Sequence, residues 1–117
     1  MTVLPMRERE RALHGNVVDY LLEVSCSRGH LGRAAIVTPD RVWTYGDLNE
    51  RVGRTANALK ALGVGAGDRV LFSAVDGIDF PILFLAIMKI GAVPLPINTY
   101  LKPHDYQYFI ADSDARV

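Results

Sequence analysis

Apolar positions along the chain switch between helical and strand spacing in a regular order. Asn16 and Asp19 have the spacing of a capping box, with Asp in the place of the usual Glu. Val17, Val18, Leu21 and Leu22 recur behind them at helical spacing, which predicts a helix from about 17 to 28 with one apolar face. Ala34-Ala35-Ile36-Val37 reads as a strand, Pro39-Asp40 as the centre of a tight turn, and Val42-Trp43 as the returning arm of a small hairpin. Thr44 and Asp47 repeat the capping spacing. Leu48, Val52, Ala56, Leu59 and Leu62 then line one side of a helix, and Asp47/Arg51 and Glu50/Arg54 are spaced as i,i+4 ion pairs. Gly63 is placed to end that helix in a left-handed conformation.

The Gly65-Ala66-Gly67-Asp68 turn leads into Arg69-Val70-Leu71-Phe72-Ser73, a strand whose apolar centre suits a sheet interior. From Asp79 a third helix runs to Ile90, with Pro81 tolerated in its first turn and Gly91 at its end. Its apolar residues occupy nearly the whole circumference, as expected of a helix covered on several sides. Val93 to Ile97 reads as a second strand, so strand, helix and strand form a parallel βαβ unit. Pro94 and Pro96, two apart, both lack an amide donor on the same side of that strand, so one of its edges cannot carry a full ladder. Pro103 starts a last helix in which Tyr106, Phe109 and Ile110 share a face expected to join the core, and Ser113 to Val117 reads as the start of another parallel strand. Residues 1–15 read as a flexible polar lead-in, and 16–117 as a partial subdomain.

Composition narrows the class. A chain of 117 residues suffices for one compact domain, and half of its residues are hydrophobic. Thirteen basic and thirteen acidic side chains give zero formal charge, so no nucleic-acid or membrane partner is expected. The longest apolar run, Phe80 to Met88, is far short of a membrane span, and no targeting segment stands out. The single cysteine, Cys26, excludes an intrachain disulfide, fits a reducing compartment and is expected to be a small buried hydrophobe. A cytoplasmic location is the expectation. His14, His30 and His104 lack zinc-motif spacing, and the glycines from 63 to 67 match neither common phosphate-loop pattern. Asp76 and Asp79 flank the start of the third helix, and one or both are expected to cap it; Lys89, in its last turn, is expected to complement the helix dipole rather than to bind an anion.

Five blocks in order carry a resemblance: Asn16-Val17-Val18-Asp19-Tyr20-Leu21-Leu22, Trp43-Thr44-Tyr45-Gly46-Asp47-Leu48, Gly63-Val64 with Gly67-Asp68-Arg69-Val70, Asp79-Phe80-Pro81, and Gly91-Ala92-Val93-Pro94. Together they resemble the opening of the adenylate-forming, or acyl-CoA synthetase, superfamily. Asn98-Thr99 and the segment from Asp105-Tyr106 to Ala115-Arg116 are similar to the benzoate–CoA ligase group within it. The fold this implies is α/β, the N-terminal part of the adenylate-forming fold: a parallel βαβ unit with flanking helices, a small β-hairpin and an incomplete sheet.

The resemblance implies an acid–thiol ligase that activates benzoate or a substituted benzoate with ATP and Mg²⁺ and then transfers the acyl group to coenzyme A. The family's catalytic and ATP-binding residues lie beyond Val117, so no residue of this chain is carried over as a catalyst, and the chain alone is expected to be inactive. Asn98-Thr99-Tyr100-Leu101-Lys102 corresponds to a loop near the coenzyme A entrance. Tyr100 and Lys102 are the candidate contacts there; Tyr100 stands where several relatives carry an arginine, and Lys102 could supply part of that charge. The alternative reading is a free-standing α/β binding or interaction module without catalysis. Under either reading the open sheet edge and the apolar helix favour self-association.

Overall fold

The computed structural model describes residues 16–117; the lead-in expected over 1–15 lies outside the described residues. Its elements in chain order are α1 (Val17–Ser27), β1 (Ala34–Val37), β2 (Val42–Thr44), α2 (Tyr45–Ala61), β3 (Arg69–Phe72), α3 (Asp79–Lys89), β4 (Val93–Pro96) and α4 (Pro103–Ser113). β1 and β2 form an antiparallel hairpin with an irregularity between Ala34 and Ile36, and β3 and β4 pair in parallel with Val70 opposite Pro94 and Phe72 opposite Pro96. This is the α/β arrangement that the sequence implies.

Helix α3 lies at the centre. Ala86 and Ile87 are fully buried and Ile82 nearly so, and they meet Val52, Ala56 and Leu59 of α2, Val18 and Leu22 of α1, and Val70 and Phe72 of β3 in one core cluster. The Phe80 ring packs at 5.4 Å from Phe72 and 6.2 Å from Phe84, so the first turn of α3 is held to β3 by aromatic contact. Phe80, Leu83, Phe84, Leu85 and Met88 remain partly covered.

Three helices stop by the same device. After α3, Gly91 adopts φ +77°, its amide donates to Met88 O and the Ala92 amide donates to Ile87 O. This is the Schellman pattern, with Ala92 and Ile87 both buried as its apolar contact. α2 ends likewise through Gly63 and Val64, and α1 through Gly29 and His30. At Gly91 the positive φ disfavours any side chain, while an added Cβ would only reach ordinary contact with the Ala66 Cβ at 3.4 Å.

Two side chains join the start of α1 to the far end of α3. Asn16 Oδ1 accepts from the Val18 amide, capping α1, while its Nδ2 donates to Met88 O at 2.6 Å and Lys89 O at 3.3 Å. The expected Asn16/Asp19 box is therefore replaced. Asp19 turns instead to Lys89, whose Nζ lies 2.7 Å from its Oδ1. The positive end of one helix dipole thus sits against the negative end of another.

The strand edges follow the proline argument. The Val93 and Ile97 amides donate to Asp68 O and Phe72 O, so alternation places the Pro94 and Pro96 nitrogens on the edge away from β3. On its other side, β3 receives the end of the chain: the Arg116 amide donates to Arg69 O and the Leu71 amide to Val117 O. The expected additional strand is thus present as two hydrogen bonds running the same way along β3, without a regular strand.

Several expectations are corrected. Cys26 is exposed, because Ser25 takes the buried position after Leu22 and satisfies its hydroxyl by donating to Leu21 O. Of the apolar residues expected on that face of α1, Val18 and Leu22 are buried, with Val17 and Leu21 half exposed. Leu62 is exposed because α2 ends before it and Val64 fills the buried place beyond the glycine. Neither Asp76 nor Asp79 caps α3; Ile78 is the cap residue, with no side-chain bond, and Asp79 lies in the first turn. The Tyr106/Phe109/Ile110 stripe does not join the core: no residue of α4 is buried.

Two substitutions test this account. Ile87→Ala is expected to lower unfolding stability by about 2–5 kcal/mol through a central cavity. Gly91→Ala is expected to cost about 1–2 kcal/mol from the left-handed backbone. Urea denaturation followed by circular dichroism measures both.

Candidate functional site

The loop after β4 is braced at both ends. Ile97 is tied to β3, Asn98 Oδ1 accepts from the Tyr100 amide, and the Tyr106 hydroxyl reaches Asn98 O at 3.4 Å. The α4 start is fixed by Asp105, whose carboxylate accepts from the Lys102 amide at 3.0 Å while its own amide donates to Lys102 O. With the backbone held in this way, Tyr100 and Lys102 project outward; Tyr100 is 92% exposed. Asp105 already occupies the positive end of α4, and His104 Nε2 lies 3.2 Å from it. The α4 amide end is thus taken by a carboxylate, with Lys102 as the exposed cation beside it.

Tyr100 and Lys102 share the loop, and no hydrogen bond joins their side chains. Cys26 lies on α1, His30 in the turn after it, and Asp79 in the first turn of α3. Among the described residues, no group of three His, Cys, Asp or Glu side chains is placed to hold a metal ion, and no helix is long and apolar enough to cross a membrane.

The Trp43–Leu48 block has the structural geometry that its capping spacing predicts. Thr44 and Asp47 form the expected reciprocal box, the Thr44 amide donating to Asp47 Oδ2 at 3.0 Å and the Asp47 amide to Thr44 Oγ1 at 3.1 Å. Gly46 is needed because its amide donates to Leu31 O and an added Cβ would stand 3.2 Å from that oxygen. Trp43 is buried, donates from Nε1 to Thr38 Oγ1 and carries the Arg41 guanidinium 3.8 Å above its ring. Arg41 also takes the Asp47 carboxylate at 3.1 Å, which displaces the expected Asp47/Arg51 pair; Arg51 lies 5.3 Å over Trp43 instead. Glu50 and Arg54 do pair, at 2.7 Å. The Thr44 amide and side chain, with Arg41 behind them, hold the Asp47 carboxyl below its ordinary value. Thr38 does the same for Asp40.

One feature went unread in the sequence. A cavity of about 410 Å³ opens between the first three helices, bordered by Tyr20, Leu21, Arg28, Tyr45, Leu48 and Leu85 among others. Helical spacing shows that these faces are apolar, but a gap between them depends on how the helices are set against each other.

The family of sequences described as AMP-binding enzyme matches residues 22–117. The chain belongs to this family. Among AMP-binding enzymes it is similar to the benzoate–CoA ligase of Thauera aromatica, 42% identical over 103 residues that cover 87% of this chain and 20% of that one. The 3-hydroxybenzoate–CoA ligase of Aromatoleum sp. (strain CIB) is 41% identical over 102 residues, again 87% of this chain and 20% of the relative. A solved benzoate CoA ligase from Burkholderia xenovorans LB400 superposes with a TM-score of 0.78 at 36% identity, over 86% of this chain and 20% of that chain. The chain therefore spans about a fifth of the length of the relatives it matches. The adenylate-forming resemblance and its benzoate–CoA ligase branch are borne out.

The Asp47 arrangement has a pH signature. Because its folded pKa is depressed, its contribution to stability is present above the unfolded value near about 4 and is lost as pH falls through the folded value. Asp47→Asn is expected to be less stable than the parent at neutral pH and to show a shallower loss below about pH 4. Urea midpoints measured against pH check this.

Proposed function

We propose that this chain is the N-terminal part of an ATP-dependent aryl-acid–CoA ligase, which converts benzoate or a substituted benzoate, ATP and coenzyme A to the aryl-CoA thioester, AMP and pyrophosphate. The observation that carries this reading is the 42% identity to a benzoate–CoA ligase across 87% of the chain, at one fifth of that enzyme's length. Its chemistry is that of a poor electrophile: a carboxylate becomes reactive once adenylation supplies a leaving group, and fixed positive charge stabilises the phosphate as charge develops. Magnesium would serve the same purpose in such a reaction, but residues 16–117 offer it no ligand set.

In this reading residues 16–117 are scaffold. The α3–Gly91–β4 exit positions the loop carrying Tyr100 and Lys102, and that loop meets coenzyme A. Support comes from the exposed Tyr100 side chain, from the braced backbone, and from the absence of an ion pair on Lys102 among the described residues. The second reading, a free-standing interaction module, draws its support from the uncovered face of α4.

Incubated with ATP, Mg²⁺, benzoate and coenzyme A, the 117-residue chain is expected to yield no benzoyl-CoA. A protein that carries this chain at the full length of the relatives is expected to catalyse pyrophosphate exchange that depends on an aryl acid. Lack of exchange across a panel of benzoates would overturn the substrate assignment. In that longer protein, Lys102→Ala is expected to raise KM for coenzyme A about threefold to tenfold with kcat nearly unchanged, the signature of lost ground-state binding.

A further inference from the structure

The crossover from β3 to α3 carries a dipeptide found once in the chain. Asp76 precedes Gly77, whereas every other aspartate precedes a residue with a side chain, and no asparagine precedes a glycine. β3 ends at Phe72 and α3 begins at Asp79, so the pair lies in irregular backbone. Asp76 and Gly77 are exposed, and Val75 beside them is 75% exposed. Neither the Asp76 carboxylate nor the Gly77 amide has a hydrogen-bond or ion-pair partner among the described residues. Other carboxylates are held in place: Asp47, Asp68 and Asp105 accept backbone amides, and Asp19 takes Lys89. Asp79 and Asp112 lie within helices, whose fixed dihedrals hold the following amide away from the side chain.

We propose that Asp76-Gly77 is a self-modification site, at which the backbone isomerises through a cyclic imide. The Gly77 nitrogen attacks Cγ of the protonated Asp76 side chain. A C–N bond closes the succinimide ring, a C–O bond breaks, and the carboxyl hydroxyl leaves as water with the amide proton. Water then adds to either imide carbonyl. Addition at Cγ restores aspartate; addition at the α-carbonyl gives isoaspartate, with the main chain running through the side-chain carbon. Glycine permits the attack, because without a Cβ its nitrogen is open to approach and its backbone turns freely. An exposed loop tip supplies the remaining freedom. The product adds a methylene to the backbone between Phe72 and Phe80, whose rings meet at 5.4 Å, just ahead of a helix whose cap residue Ile78 makes no side-chain bond. The site belongs to this chain and does not rest on its catalytic reading.

The test incubates the folded 117-residue chain in heavy-oxygen water near neutral pH, digests it in ordinary water and reads each aspartate peptide by mass spectrometry with electron-transfer fragmentation. Asp76 is expected to take up heavy oxygen and accumulate isoaspartate about tenfold faster than any other aspartate of the chain. Gly77→Val is expected to slow uptake about tenfold, because a β-branched side chain crowds the attacking nitrogen. The nearest atom to an added Cβ there is Val75 O at 4.0 Å, so the fold, followed by circular dichroism, is expected to be kept. Asp76→Glu, which would have to close a larger ring, is expected to lose the uptake. Uptake at Asp76 no faster than at the other aspartates overturns the proposal, as does equal uptake in the parent and Gly77→Val. Uptake seen only when urea unfolds the chain overturns it as well.

Discussion

Burial of helix α3 is the constraint on which the rest of this structure depends. With Ile82, Ala86 and Ile87 inside and partly covered apolar residues around most of its remaining surface, α3 holds an arrangement in water only if other elements close on it from several directions. α2 supplies Val52 and Ala56, α1 supplies Val18 and Leu22, and β3 supplies Val70 and Phe72. Each of those elements is itself amphipathic, so one buried helix aligns two other helices and a strand. The small β1–β2 hairpin is fixed in turn by the start of α2, through Trp43, Thr44 and the close approach of Gly46 to Leu31 O.

The same constraint links fold to function. The end of α3 must be sharp, because β4 has to begin at once beside β3, and Gly91 with Ala92 achieves that in two residues. Asn16 closes over the last carbonyls of α3 from the other end of the chain, and Asp19 holds Lys89 beside them. The loop bearing Tyr100 and Lys102 inherits its position from this exit. Family blocks that look like signatures of an activity are thus the parts that set a scaffold at the required angle: the first caps a helix, and the last ends one and starts a strand.

The candidate site was legible as a location and less so as a geometry. Spacing shows that a loop follows β4 and that a helix begins at Pro103, and the resemblance attaches coenzyme A to that loop. It does not show that the Asp105 carboxylate fills the positive end of α4. Likewise the i,i+4 rule pairs Asp47 with Arg51, since it considers a helix alone. In the folded chain the hairpin brings Arg41 to Asp47 and gives Arg51 the face of Trp43. Local rules name the groups that want partners, and neighbours from elsewhere in the chain decide which partner is taken.

Sequence by itself determined the order and type of the elements, the glycines that end helices α2 and α3 and the Thr44/Asp47 cap, because each depends on residues within a turn or two of one another, and it determined the family through the order of such local blocks along the chain. Tertiary structure alone decided that Asn16 and Asp19 reach α3, that Ser25 is buried while Cys26 is exposed, and that α4 is left without a core of its own. The physical reason is that apolar spacing states which face seeks cover, whereas cover is supplied by distant segments. For α4, no residue among 16–117 is in a position to supply it.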